Sequence, residues 1–131
     1  MVNLNSLESD EKPATPEQKL WRAVFLQAIQ DTFGICTVAM SRDEWRESKW
    51  WGRIYNQDFI ELCEFELFGI HNKDVSDWIV KNLDYDQCIL EFWTPNDPNS
   101  GWIHCSYNDA GNRKQYLNAQ KLNGRIIYTI M

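Results

Sequence analysis

The sequence predicts an α+β fold in which N-terminal helices are followed by a small antiparallel sheet. Up to about residue 66, apolar residues recur every three or four positions and two N-terminal capping sequences precede them. After residue 86, short apolar or alternating runs are separated by turn residues, a pattern typical of strands. Helices first and strands second are the order expected of α+β proteins.

The first predicted helix has a defined start and a defined end. Thr15 is an N-cap, Pro16 suits the first turn, and Gln18 completes a capping box. Gly34 is a typical residue to end the helix. Between them runs a wide apolar stripe, which consists of Leu20, Trp21, Val24, Phe25, Ala28, Ile29 and Phe33.

Two more helices are predicted in the first half. A second capping box at 41–44 predicts a short helix that reaches about Trp51. The third helix is predicted over residues 58–66, with Phe59, Leu62 and Cys63 facing inward.

The second half is predicted to hold one helix and three strands. The helix covers residues 74–83, and a basic helical turn is expected near 113–120. The strands are predicted at 87–93, 102–107 and 125–130. The chain of 131 residues suits one domain.

The domain organisation follows from these segments. Residues 1–14 are polar and acidic and are predicted to form a flexible arm. Residues 15–66 form a helical module, and residues 67–131 form an α+β half that packs with it as one compact unit.

Composition excludes several classes of function. Thirteen basic and nineteen acidic residues give a net charge of −6, which argues against nucleic-acid binding. No apolar run approaches the roughly 20 residues of a membrane helix, and no signal peptide opens the chain, so neither membrane insertion nor export is expected. No Cys-x-x-Cys pair occurs, and reduced, buried thiols are expected for Cys36, Cys63, Cys88 and Cys105.

The aromatic content indicates a protein partner. Seven Trp, six Phe and five Tyr give a high aromatic content, so some of these residues are expected to face a partner or a cleft. Trp45, Trp50 and Trp51 are candidates for core or interface packing, and a sugar-binding platform remains the alternative.

One of the two histidines lies on a predicted strand. Eight turn residues join the strands 87–93 and 102–107, so a hairpin that pairs Trp93 with Trp102 would place Glu91 opposite His104. A slip of two residues would keep Glu91 on the same face, and a slip of one would not. Such a pair serves acid–base chemistry, a metal site or a plain polar contact.

The C-terminal half resembles a known family. Its motifs are Asp-Gln-x-Ile-x-Glu-Phe at 86–92 and Trp-Ile-His-x-Ser-Tyr at 102–107, with supporting matches at 76–79 and 112–115. Over about residues 66–120 the chain is similar to the phage-type zinc D-alanyl-D-alanine carboxypeptidase and endolysin family. The resemblance implies a truncated metallopeptidase-like fold.

The resemblance also implies a zinc site. The histidine of the Trp-Ile-His segment binds zinc in this family, which corresponds to His104. The family's general base often precedes that histidine by three residues, where this chain has Gly101, so Glu91 is the candidate base.

The family's other zinc ligands come from a His-x-x-Gly-x-Ala-x-Asp segment. Here residues 57–64 correspond to it, with Gln57 in place of the histidine and only Glu64 keeping a carboxylate. If zinc is bound, His71 and Glu64 would therefore join His104. The N-terminal half, at 20–28 and 58–63, more weakly resembles small helical phage proteins of unknown role.

The expected function is that of a non-catalytic phage protein on a peptidase-derived scaffold, without a cofactor. It would act as a binding or virion structural module with a phage or host protein as partner, in the virion or the host cytoplasm. The first alternative is a zinc-dependent D,D-peptidase acting on peptidoglycan. The second is an anti-defence protein that binds a host factor.

Overall fold

A computed structural model describes most of the chain, and for residues 50–57 it describes the backbone alone. The predicted arm and the capping box at 41–44 lie outside the described residues. Those residues are 15–34, 50–57, 60–67, 69–97 and 100–131.

The described residues form two helices and six strands, which confirms the α+β class. The helices are α1 (Pro16–Phe33) and α2 (Asn72–Asn82). The strands are β1 (Trp50–Gln57), β2 (Ile60–Leu67), β3 (Gln87–Glu91), β4 (Trp102–Asn108), β5 (Gln115–Leu122) and β6 (Arg125–Ile130).

All six strands belong to one sheet in the order β1-β2-β4-β3-β5-β6. The neighbouring strands are antiparallel except for β3 and β5, which are parallel. The sheet is therefore mixed, and the prediction of an antiparallel sheet is wrong at this pair. Strands β4 and β5 lie on opposite sides of β3. Because β4 is antiparallel to β3, it ends near the start of β3. The chain then crosses to the other side of β3, and β5 runs parallel to it.

Three predicted helical segments are strands. Residues 58–66 were expected to be helical, but β2 occupies Ile60–Leu67 and pairs with both β1 and β4. Trp50 and Trp51 begin β1 instead of ending a helix, and β5 replaces the expected basic turn at 113–120. In β2, Cys63, Phe65 and Leu67 alternate toward the core, so a period of two overrides the three-and-four spacing.

Both helices pack on the same face of the sheet, which we call the helix face. Phe33 of α1 contacts Trp78 of α2 with ring centroids 5.6 Å apart. Because side chains alternate along strands, the neighbours of each inward residue point to the other face, which we call the second face. The core between helices and sheet contains Trp21, Phe25, Leu26, Ile29, Val75, Ile79, Cys63, Phe65, Cys88, Leu90, Ile103 and Cys105.

The three described cysteines form a row on the helix face. Cys105 lies opposite both Cys63 and Cys88 in the strand register, and all three are free and buried. Burial, followed by the neighbouring carboxylates Glu61 and Glu64, raises the pKa of the Cys63 thiol. These residues therefore act as small apolar side chains of the core.

A hydrogen-bonded network joins α2 to β5. The Tyr116 hydroxyl lies 2.6 Å from the Ser76 hydroxyl and donates to Asp77 Oδ1 at 2.8 Å. Lys73 Nζ donates to the other carboxylate oxygen of Asp77 at 2.7 Å. Burial opposes ionisation of Asp77, but the bonds from Lys73 and Tyr116 outweigh it and lower its pKa. The network fixes the position of α2 over the sheet.

An ion pair holds the chain where it passes from β4 to β5. Asp86 is fully buried just before β3, and its carboxylate accepts bonds from Arg113 Nε at 3.0 Å and Nη2 at 2.7 Å. The Arg113 backbone N–H adds a third bond at 2.7 Å. Burial raises the pKa of Asp86, but these bonds outweigh it and the net pKa lies below its ordinary value.

Asp86→Asn is expected to lower the free energy of unfolding by about 1.5–3 kcal/mol at neutral pH, because a bidentate bond to a buried carboxylate is lost. Since the folded-state pKa is lowered, the contribution of Asp86 is present above the ordinary aspartate pKa and is lost as pH falls through the folded value. The difference in the free energy of unfolding between the variant and the unmodified protein should therefore be smaller at about pH 3 than at neutral pH. Urea unfolding at both pH values measures it. Asp31→Asn, on the exposed face of α1, is the control and should have little effect.

Candidate functional site

The sheet brings His104 directly opposite Glu64. Their positions pair between β4 and β2, and His104 Nδ1 lies 3.8 Å from Glu64 Oε1. The two side chains are 15% and 10% exposed, on the second face. Next to the pair, burial raises the pKa of Glu66, the following carboxyl of β2 on this face.

Glu91 lies on the face of His104 but not opposite it. The β3–β4 pairing is shifted by two residues from the predicted register, so Glu91 pairs with Trp102 and Ile89 pairs with His104. The shift arises because β3 ends at Glu91 and the next residue, Phe92, has a left-handed φ of 58°. The predicted face is therefore correct, and the predicted opposition of Glu91 and His104 is wrong.

His71 lies apart from this pair. It is the N-cap residue of α2, half-exposed, with Nδ1 3.9 Å from Asp74 Oδ2. Since α2 packs on the helix face, His71 and the side chain of His104 belong to opposite sides of the sheet. The structure thus joins two of the three candidate ligands, His104 and Glu64.

The described residues do not complete a zinc site of the resembled type. A catalytic zinc takes three protein ligands. Within the described ranges, no three His, Cys, Asp or Glu side chains are grouped so that they could hold a metal ion. His104 and Glu64 form a polar pair on the second face.

Gly101 is the residue that the resemblance would align with a general base, and its surroundings exclude a side chain. Its φ is +68°, and a Cβ there would lie 2.8 Å from the Phe92 carbonyl carbon and closer still to the Glu91 carbonyl oxygen. These are backbone atoms, so they cannot turn aside as a flexible side chain would. A carboxylate at this position would require a different backbone.

A groove that the sequence did not predict lies beside α1 on the helix face. Its volume is about 230 Å³. Trp21 and Tyr107 stack in it with ring centroids 5.7 Å apart, and Trp21 Nε1 donates to the Asp84 carbonyl at 2.8 Å. The lining residues are Glu17, Leu20, Trp21, Val24, Phe25, Leu83, Asp84 and Tyr107.

Two apolar residues of α1 at the groove are exposed. Leu20 is 67% and Val24 54% exposed, although both belong to the apolar stripe of α1. The core uses Trp21, Phe25 and Ile29 instead. The width of the stripe was the signal in the sequence, because it exceeds what one helix can bury against one sheet.

The rim of the groove is acidic. Glu17 and Asp84 line it, and Asp109 accepts a bond from the Thr15 hydroxyl nearby at 2.9 Å. Burial raises the pKa of Tyr107, and the charges of Glu17, Asp109 and Asp84 add to this effect. The groove therefore combines apolar walls with acidic side chains at its rim.

Comparisons with known proteins give no relative for this chain: no family model, no curated protein and no solved structure matches it.

Neither described helix is long and apolar enough to cross a membrane.

Proposed function

We propose that this chain is a non-catalytic binding module on a peptidase-derived scaffold. In the groove beside α1 it would hold a segment of a partner protein that carries both apolar side chains and lysine or arginine. The observation that carries this proposal is the exposure of Leu20 and Val24 beside an apolar groove with an acidic rim. Exposed apolar side chains grouped at a concave site and bordered by charge are typical of interaction surfaces.

The groove favours a particular kind of ligand. An apolar side chain of the partner would contact Leu20, Val24 and Leu83 in the groove. A lysine or arginine beside it would lay its aliphatic stem along the apolar wall and bring its charge to Glu17 and Asp84. Binding should therefore weaken as salt screens the rim.

Two sources of the partner follow from the resemblance to phage proteins. A phage structural protein would place the chain in the virion, and a host protein would place it in the host cytoplasm. The anti-defence function is the second case, with the groove filled by a segment of a host factor.

Selection from a displayed peptide library tests the groove. We expect the enriched peptides to combine apolar residues with Lys or Arg, and Leu20→Glu to weaken their binding at least tenfold, about 1.4 kcal/mol. Glu17→Gln should reduce the salt dependence of binding. Thr32→Glu, at an exposed position three turns along the same helix, is the charge-matched control. Enrichment of acidic peptides, or equal effects of both glutamate variants, would contradict the proposal.

A zinc-dependent peptidoglycan peptidase is the second candidate, and the opposition of His104 and Glu64 favours it. It requires further ligands from residues outside the described ranges, with Glu91 as the candidate base. Metal analysis of the purified protein and digestion of muropeptides test it. This candidate predicts one tightly bound zinc and cleavage that His104→Ala abolishes, whereas the binding module predicts neither.

A further inference from the structure

The outer strand of the sheet, β6, is exposed along its whole length. Every residue of Arg125–Ile130 is exposed, and Tyr128 and Ile130 reach 53% and 88%. Natural edge strands usually carry lysines, prolines or bulges that prevent pairing with another chain. Here the strand reads Arg-Ile-Ile-Tyr-Thr-Ile, and its one charge lies at its start.

The hydrogen-bonding direction of β6 identifies its free backbone groups. The Met131 N–H donates to the Tyr116 carbonyl at 3.0 Å, so residue 131 is bonded toward β5. In an antiparallel pair these bonded positions alternate, so the outward N–H and C=O groups belong to Ile126, Tyr128 and Ile130. Among the described residues, no strand pairs with this outer edge.

We propose that β6 pairs antiparallel with β6 of a second copy of this chain, about a two-fold axis at Tyr128. Tyr128 then lies opposite Tyr128 of the second copy, and Ile126 lies opposite Ile130. All three outward residues become bonded pairs, which gives six backbone hydrogen bonds. A slip of two residues that brought Ile126 opposite Tyr128 would place Ile130 opposite Gly124, which lies in the β5–β6 turn, and leave it without a paired strand residue.

Side chains support the same register. Ile126, Tyr128 and Ile130 share one face because residues two apart in a strand do, so the two copies would form one continuous apolar row of six side chains. Arg125 falls opposite Met131, so no like charges oppose each other across the axis.

The exposed area also suits a second copy. The exposed side chains at this edge present several hundred Å² per copy, on the order of the ~800 Å² that each partner buries in a standard interface. They are Ile126, Ile127, Tyr128, Ile130 and Met131. The surface is self-complementary in hydrogen bonds and in apolar contacts, as a two-fold interface must be.

Sedimentation of the full chain over a range of concentrations tests this interface. We expect the unmodified protein to form a dimer, and Tyr128→Pro to be a monomer, because proline removes an outward N–H while the bonds to β5 remain. Circular dichroism of the variant checks that the fold persists. A monomeric unmodified protein at all concentrations, or a dimer that Tyr128→Pro leaves intact, would overturn the proposal.

A charge pair tests the register. Ile126→Lys combined with Ile130→Lys places like charges opposite each other and should give a monomer, whereas Ile126→Lys with Ile130→Glu places opposite charges together and should restore the dimer. Both variants replace the same two exposed side chains, so each controls for the other. Equal behaviour of the two variants would overturn the proposed register.

Discussion

Arg22→Ala is expected to lower the free energy of unfolding by about 3–5 kcal/mol, because it removes one charge of a buried ion pair. Arg22 on α1 and Glu61 on β2 are 1% and 0% exposed. Their side chains approach to 3.6 Å between Nη1 and Oε1. Without the guanidinium, the Glu61 carboxylate would remain in a site that water does not reach.

Urea unfolding followed by tryptophan fluorescence measures this change. The matched control is the double variant Arg22→Met with Glu61→Leu, which removes both charges and keeps side chains of similar volume. It is expected to be close to neutral, because replacing a whole buried pair with apolar residues usually costs little. If Arg22→Ala costs less than about 1 kcal/mol, the pair behaves as an exposed one and our account of it is wrong.

Gly101→Ala is the second substitution with a large expected effect, a loss of about 4 kcal/mol or more. The new Cβ would overlap the Glu91 carbonyl oxygen and lie 2.8 Å from Trp93 N. Since these are backbone atoms at the end of β3, the β3–β4 hairpin would have to open. A lowered urea midpoint measures the loss.

Gly34→Ala is a close control for Gly101→Ala. Gly34 ends α1 with a φ of 69°, almost the same as the 68° of Gly101, but nothing lies within 4 Å of a Cβ built on it. Gly34→Ala should therefore lower the free energy of unfolding by only about 1 kcal/mol, the strain of a non-glycine residue in the left-handed conformation. Equal losses at the two positions would mean that the close approach at Gly101 does not matter. The same contact predicts that Gly101→Asp unfolds the hairpin and does not create a catalytic base.

The sequence predicted the elements whose signals are local. Helix α1 begins and ends where the capping box of Thr15 and Gln18 and the terminal Gly34 predict. Strands β3, β4 and β6 lie within about two residues of their predicted ranges. Each of these elements has its boundaries marked by neighbouring residues.

The prediction failed where distant pairing decides. In the sequence, the spacing of Phe59, Leu62 and Cys63 suits a helix, and the alternation of Cys63 with Phe65 suits a strand. Pairing with β4, about 40 residues later, selects the strand. Because the sequence predicts a helix at β2, it does not predict the β2–β4 pairing that places Glu64 opposite His104.

The candidate site was predicted only in part, for the same reason. The predicted hairpin correctly placed Glu91 and His104 on the same face of the sheet. The register of the hairpin, however, depends on the left-handed conformation of Phe92 and the close backbone contacts at Gly101, and these are features of the folded backbone. The groove beside α1 depends on how many apolar residues of the helix the sheet covers, and the apolar stripe in the sequence does not say which of them, such as Leu20 and Val24, stay exposed.

A titration followed by amide and indole NMR shifts tests the binding-module account most directly. A peptide selected for binding would be added to the isotope-labelled full chain. The account predicts the largest shifts at the Trp21 indole N–H and at Val24 and Leu83, with His104 unchanged. Shifts centred on His104 and Glu64 would contradict it, because the ligand would then occupy the second face of the sheet.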